Sequence, residues 1–335
     1  MGDLNIKQNA GIISVGTYIP KKIVTNNDIE SLVDTSDEWI ISRTGIKERR
    51  VSDDLSCSQM AVMASQKALD KAGISVEEIE LIIVTSLSFD KLCPSTASLV
   101  QDGLKAINAA AFDISSACAG FSYGLATAFS FVESGAFNNV LLVGAENISK
   151  FINWKDRNTC ILFGDGAGAV IVSKTEKPYG HICSYLACDG RKNNLIEIPA
   201  GGSAKPASVE TVQNNEHFLR MKGQEVFKFA VKAIPDAINN VIYKGGVELK
   251  DIDLFIPHQA NIRIIESATK KLGLPKEKFF TNLERYGNTS TASVPLALNE
   301  AHEKGIIKNG SLIVLIGFGG GLSWGANLVR WRTND

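Results

Sequence analysis

The sequence predicts an α/β protein with buried, largely parallel sheets, assembled from one α/β unit used twice. Strand-length apolar runs recur along the chain as LIIVTS, AAAFDIS, NVLLVGAE, GAVIVS, IDLFIPH and SLIVLIGF. Runs that are apolar throughout belong to strands covered on both faces. Helical patterns fill the intervals, over residues 59–72 and 224–243, and such alternation is the signature of an α/β fold. The two halves also echo one another. ISVEEIELIIVTS resembles VELKDIDLFIPHQ, aligning Ile79-Glu80-Leu81-Ile82 with Ile252-Asp253-Leu254-Phe255 at an offset of 173. LATAFSFVESGAFNNVLLVGAE resembles VPLALNEAHEKGIIKNGSLIVLIGF, with Gly135 opposite Gly305 at an offset of 170. Internal similarity of this kind reads as duplication, dividing the chain into 1–176 and 177–335.

Composition narrows the class of function. A formal net charge of −1 over 335 residues argues against general nucleic-acid binding, which needs a basic surface. The apolar runs are far too short to span a bilayer, and MGDLNIKQNAG lacks the apolar core of a signal peptide. Six cysteines without a CxxC pair do not make a disulfide scaffold, so free thiols in a reducing cytoplasm are expected. His181, Cys183 and Cys188 offer three metal-ligand types with no fourth nearby, a weak signal. Small residues on a strand are the plainer reading. The Gly, Pro, Ser and Asn content of residues 199–218 reads as a long surface loop.

The chemistry gathers around DISSACAGF. Phe121, Leu125, Ala128, Phe129 and Val132 fall on one face of a helix that Gly135 would end. Cys118 then sits at its first turn, where free backbone N–H groups and the helix dipole favour a thiolate and can hold an oxyanion. A buried cysteine that merely packs is the alternative. FIPHQAN puts His258 at the C-terminal end of a strand, where α/β sheets build sites. Applying the 173 offset to Thr85 also lands on His258, and applying 170 to Cys118 lands on Asn288 in RYGNTSTAS. Alone, Asn288 reads as a turn asparagine. Gly319 to Gly321 stand between two strand-like runs, permitting close backbone approach to a ligand. No helix follows them, nor the FGDGAGAV glycines, so a nucleotide-phosphate loop is a poor reading of either.

Taken together, SACAGF, PHQANIRI, YGNTSTASVPLAL and FGGGLSWG, with DTSDEWIISRTGIKERR and FGDGAGA, resemble the β-ketoacyl-acyl-carrier-protein synthase III family of the thiolase superfamily. The motifs run in family order over nearly the whole chain. The resemblance implies a thiolase-like five-layered αβαβα fold from two similar halves, a homodimer, and a triad of Cys118, His258 and Asn288. It implies an acyltransferase that condenses an acyl-CoA primer with malonyl-carrier protein, initiating fatty acid biosynthesis. The N–H groups of Cys118 and Gly320 would hold the oxyanion. Contacts to CoA carry over onto Thr35, Trp39, Arg43, Arg157 and Asn261. Gln224 replaces a frequent asparagine, which puts that contact in doubt. Lys228, Arg263, Lys270 and Lys271 would form the docking face for an acidic carrier protein. Cys93 stands where a bulky aromatic often borders the primer pocket across the dimer, which implies tolerance of longer or branched primers. No metal or redox cofactor is implied; acyl-CoA and malonyl-carrier protein are substrates. A related condensing enzyme of secondary metabolism is the alternative. A thiolase proper would want a second catalytic cysteine near Gly320, and a hydroxymethylglutaryl-CoA synthase type would want a catalytic glutamate. A non-catalytic acyl-CoA or carrier-protein binder would predict a damaged triad.

Overall fold

The computed structural model describes residues 8–332. The first residues of the stretch read as lacking a signal core lie outside them. Every apolar run singled out above falls on a strand. The first sheet contains β1 (Ala10–Tyr18), β4 (Leu81–Thr85), β5 (Ala110–Ile114), β6 (Asn139–Glu146) and β7 (Gly166–Lys174), and β2 (Lys22–Thr25) and β3 (Glu48–Val51) form a separate pair. The second sheet contains β8 (Gly180–Cys188), β11 (Leu254–Pro257), β12 (Leu312–Gly319) and β13 (Ser323–Arg330), with β9 (Ile196–Glu197) and β10 (Arg220–Met221) as another short pair.

The sheet orders are β1-β7-β6-β4-β5 and β8-β13-β12-β11. The expectation of largely parallel sheets needs correction. Strand β4 runs parallel to β5 and β6, and β11 to β12, whereas the remaining pairs of both sheets are antiparallel. The reason is local for β12 and β13: only residues 320–322 separate them, and so short a connection joins only antiparallel neighbours.

Side-chain alternation along the strands builds the layers. Val140 and Leu142 of β6 face one core, with Leu141, Val143 and Ala145 facing another. The outer core is closed by helix Cys57–Ala72, whose buried Met60, Ala61, Ala64 and Ala68 repeat at helical spacing. The central core holds helices Gly120–Glu133 and Ser293–Glu303 between the two sheets. The opposite outer core packs helices Gly223–Gly245 and Ile262–Leu272 on the second sheet through Phe255, Val314 and Ile316. The order is helix, sheet, helix, sheet, helix.

The matching of the halves is more regular than the sequence alignment suggested. Leu81 and Leu254 begin β4 and β11, Asn139 and Leu312 begin β6 and β12, and the single-turn helices are Ala117–Ala119 and Ser290–Ala292. Each pair is 173 residues apart. Backbone conformation agrees: Ala117 and Ser290 both take left-handed φ, at 43° and 48°. Cys118 therefore matches Thr291, not Asn288, which lies three residues earlier in the equivalent turn. The offset of 170 belongs to the helix ends at Gly135 and Gly305. The 199–218 stretch is also not wholly loop. It contains helix Val209–Gln213, begun by a reciprocal cap between Ser208 and Thr211, and Lys205 pairs with Glu216 at 2.6 Å.

Candidate active site

Strand ends and helix starts from both halves meet at one cavity of about 750 Å³, lined among others by Cys118, His258, Asn288, Phe318 and Gly319. The mouth includes Trp39, Arg43, Gln224, Lys228, Asn261 and Arg263. The triad expected from the resemblance is buried on it: Cys118 is 6%, His258 1% and Asn288 6% exposed.

Cys118 occupies the single turn that leads into helix Gly120–Glu133. Its turn leans on the end of β12. A Cβ on Gly319 would meet Cys118 Cβ at 2.7 Å, so no side chain fits there. Gly320 is the next residue, and Ala117 is its nearest neighbour across the turn. Ser290 donates a hydrogen bond to Cys118 Sγ at 3.2 Å. Burial pushes the thiol up to about 12. This runs against the expectation from helix position alone: desolvation of a charged sulfur outweighs the dipole, and the resting thiol keeps its proton.

His258 follows β11, its N–H bonded to Ile316 O at 2.7 Å. Burial lowers its pKa to about 3, so the ring is neutral. Ser293 Oγ accepts from the Gln259 N–H at 3.2 Å and lies 2.6 Å from His258 Nδ1. The hydroxyl still has its own proton to give, and as a donor to Nδ1 it would leave the ring proton on Nε2. Phe318 packs against the imidazole edge to face, centroids 5.0 Å apart.

Asn288 is fixed by the other half of the molecule. Its N–H bonds to Leu162 O at 2.8 Å and its C=O accepts from Gly164 at 3.0 Å. The turn before it requires glycine: Gly287 has φ 63°, and a Cβ there would meet Leu162 O at 2.7 Å. Asn288 Oδ1 accepts from the Ser290 N–H at 2.8 Å, which leaves its amide N–H groups free to donate.

The other expected residues divide. Trp39 lies at the mouth with the guanidinium groups of Arg157 and Arg43 at 5.0 and 5.8 Å from its ring. Arg157 also donates to Asp34 O at 2.9 Å. Thr35 and Arg157 are not among the residues lining the cavity. Asn261 caps helix Ile262–Leu272 through the Arg263 N–H and donates to Arg43 O at 3.0 Å, so it holds the mouth together as well as lining it. Gln224 is exposed at the rim. Arg263, Lys270 and Lys271 are exposed on one helix, and Lys276 engages the intervening Glu266 at 2.7 Å. Cys93 is exposed and outside this cavity. His181 is bound between Glu133 and Ser184 at 2.6 and 2.8 Å, and Cys183 Sγ lies against Val241 O.

Ser290, Ser293, Phe318 and Glu146 were not singled out from the sequence. The two serines lie inside the quoted GNTSTASVP motif, and applying 173 to Ala117 would have pointed to Ser290.

Comparison with known proteins decides the family. The family described as 3-oxoacyl-[acyl-carrier-protein (ACP)] synthase III matches residues 112–190, and its C-terminal counterpart matches residues 242–331. A beta-ketoacyl-[acyl-carrier-protein] synthase III from Caldanaerobacter subterraneus subsp. tengcongensis is 54% identical, over 96% of this chain and 98% of that protein. The chain belongs to the β-ketoacyl-acyl-carrier-protein synthase III family. A solved 3-oxoacyl-[acyl-carrier-protein] synthase III from Aquifex aeolicus VF5 superposes with a TM-score of 0.89 at 46% identity, covering 96% of this chain and 100% of that one. The priming beta-ketosynthase of the R1128 polyketide biosynthetic pathway superposes with a TM-score of 0.90 at 33% identity, covering 99% of both. The fold is thus the thiolase-like one that the resemblance implied.

Proposed function

We propose that this chain condenses an acyl-CoA primer with malonyl-acyl carrier protein, releasing CO₂ and initiating fatty acid biosynthesis. The observation that carries the reading is the convergence of a buried thiol and two oriented hydrogen-bond donors on one cavity. Cys118 Sγ attacks the primer thioester, the carbon–sulfur bond to CoA breaks, and the acyl group remains on Cys118. N–H groups of Cys118 and Gly320 hold the oxyanion. Malonyl-carrier protein then places its thioester carbonyl toward His258 Nε2–H and the Asn288 amide. Both are neutral donors, suited to an oxygen that gains charge as the bond to CO₂ breaks. The enolate carbon attacks the acyl-cysteine and expels Cys118 sulfur.

The aromatic and guanidinium groups at the mouth, Trp39 with Arg43 and Arg157, suit an adenine nucleotide. Gln224 and Asn261 line the same mouth, and Thr35 joins them as a CoA contact by the resemblance. Lys228, Arg263, Lys270 and Lys271 suit an acidic carrier protein steered by charge. The proposal includes a homodimer of chains with halves 1–176 and 177–335, working in the cytoplasm without a metal or redox cofactor, and Cys93 bordering the primer pocket across the dimer. Likeness to a polyketide priming synthase favours a second reading, in which donor or acceptor differs but the chemistry is the same.

The test separates the two half-reactions. With acetyl-CoA and malonyl-carrier protein, Cys118→Ala should make no β-ketoacyl product. His258→Ala and Asn288→Ala should still take up the acyl group and lose CO₂ release by about 100-fold or more, as expected for removal of an oxyanion donor. Variants of His258 and Asn288 that release CO₂ at the wild-type rate would refute their assignment.

A further inference from the structure

The hydroxyl that touches the nucleophile has no part in the mechanism above. Ser290 is fully buried and opens the single turn Ser290–Ala292. Its Oγ donates to Cys118 Sγ at 3.2 Å. Its backbone does something separate: the Ser290 N–H donates to Asn288 Oδ1 at 2.8 Å. One residue thus reaches two members of the triad, one through its side chain and one through its main chain.

The duplication shows which of these two contacts needs a serine. Ser290 matches Ala117 at the offset of 173, and both take left-handed φ, at 48° and 43°. The turn therefore forms around a methyl group as well as around a hydroxymethyl group. The N–H bond to Asn288 asks nothing of the side chain. What serine adds at this position is the hydroxyl, which reaches from the second half of the chain to a sulfur 172 residues away in the first.

We infer that Ser290 is a further catalytic residue, whose hydroxyl stabilises the Cys118 sulfur whenever that sulfur carries negative charge. The site needs such a donor. Burial pushes the thiol up to about 12, and the charge of Glu146 acts in the same direction. His258, on the same cavity, is held neutral by its own burial, so it supplies no balancing positive charge. A hydrogen bond to the charged form favours that form, and a hydroxyl does so without burying a second charge. In acylation the bond from Sγ to the acyl carbon forms and the bond to CoA breaks. The proton that Cys118 gives up to water is matched by the one that the CoA thiolate takes back. In condensation the sulfur leaves with the bonding pair, again facing the Ser290 hydroxyl, and regains its proton from solvent. That proton balances the loss of CO₂ from a carboxylate.

The inference deepens the condensing function proposed above and rests on it, and its experiment reads the thiol both without and with substrate. Wild type, Ser290→Ala and Ser290→Gly are treated with iodoacetamide between about pH 7 and pH 9, and alkylation is followed by mass at the peptide that carries Cys118. Alanine already occupies the equivalent turn, and glycine takes left-handed φ freely, so the second variant carries the test if the first does not fold. A hydrogen bond to a charged group is worth about 10- to 100-fold in thiolate population. Roughly half of that, on a logarithmic scale, is returned because a less basic thiolate is a weaker nucleophile. Both variants should therefore be alkylated about tenfold more slowly than wild type at each pH. Single-turnover acylation by acetyl-CoA should slow by a similar factor. CO₂ release from malonyl-carrier protein by enzyme already acylated should change by only a few-fold, because the Ser290 N–H still holds Asn288. Alkylation of both variants at the wild-type rate, or equal losses in acylation and CO₂ release, would overturn the inference. Wild type that is alkylated but never acylated would refute the condensing function instead, while the alkylation rates would still decide the role of the hydroxyl.

Discussion

Ser293 shows how a single hydroxyl bears on what a buried ring can do. As a donor to Nδ1, 2.6 Å away, it would leave the His258 proton on Nε2. Ser293→Ala should lower CO₂ release by about tenfold, the worth of one buried hydrogen bond, while acylation of Cys118 stays near the wild-type rate. The pH dependence follows from burial. An imidazole held at about 3 is neutral throughout pH 5–8, so CO₂ release should show no limb near 6.5. A midpoint there would mean a solvated, titrating ring. Stability carries the same signature with a fixed sign. In the unfolded chain His258 takes a proton as pH falls through 6.5, whereas the folded chain refuses it until about 3, so this group favours unfolding increasingly across that window. Glu146 acts oppositely: raised to about 7, it contributes stability below about 4.5 that is lost as pH rises to 7. That Cys118, His258 and Asn288 line one cavity was expected from the family resemblance; residue by residue, Cys118 and His258 stood out at a helix start and a strand end, and Asn288 read as a turn residue. Ser290 was not legible, because its partner lies 172 residues away and only the fold brings them together.

The paired turns differ in what they carry. Cys118 and His258 match Thr291 and Thr85 at the same offset of 173, and those two threonines bond to each other at 2.8 Å. Where the first turn keeps a thiol for chemistry, its counterpart closes on a threonine pair. Each turn leans on the opposite half: a Cβ on Gly317 would strike Ala119 Cα at 3.0 Å, and one on Gly144 would strike Thr291 O at 2.9 Å. Thr291→Val should therefore cost about 1 kcal/mol in urea unfolding; a loss above about 4 kcal/mol would show that the pair does more than link the turns. The second element with a testable role is the basic face of helix Ile262–Leu272. Reversing Arg263, Lys270 and Lys271 to glutamate should raise KM for malonyl-carrier protein on the order of tenfold at low salt, with the difference shrinking as salt screens it. KM for acetyl-CoA should move little. The strands were legible as apolar runs covered on both faces. Their mixed direction was not, because an apolar run has no sense of direction until its connections are known.

Over the whole molecule, two cores pack outside the sheets and one between them, and the active site sits where the halves exchange turns. The duplication was legible in outline, since β4 and β11 share sequence, but its register was blurred by unequal loops that shift the helix ends by three residues. The helix at 209–213 was hidden within a composition that reads as loop. Cys93 belongs to this scale too, because the role proposed for it requires two chains. In a chain that elutes as a dimer, Cys93→Phe should narrow primer use toward acetyl-CoA; unchanged turnover of butyryl- and isobutyryl-CoA would place the selectivity elsewhere. The central claim, that Cys118 carries the acyl group, is tested most directly by intact mass after incubation with a panel of acyl-CoAs. Wild type should gain the mass of one acyl group, and Cys118→Ala should gain nothing. An equal gain on both, or none on folded wild type with any acyl-CoA, would contradict it.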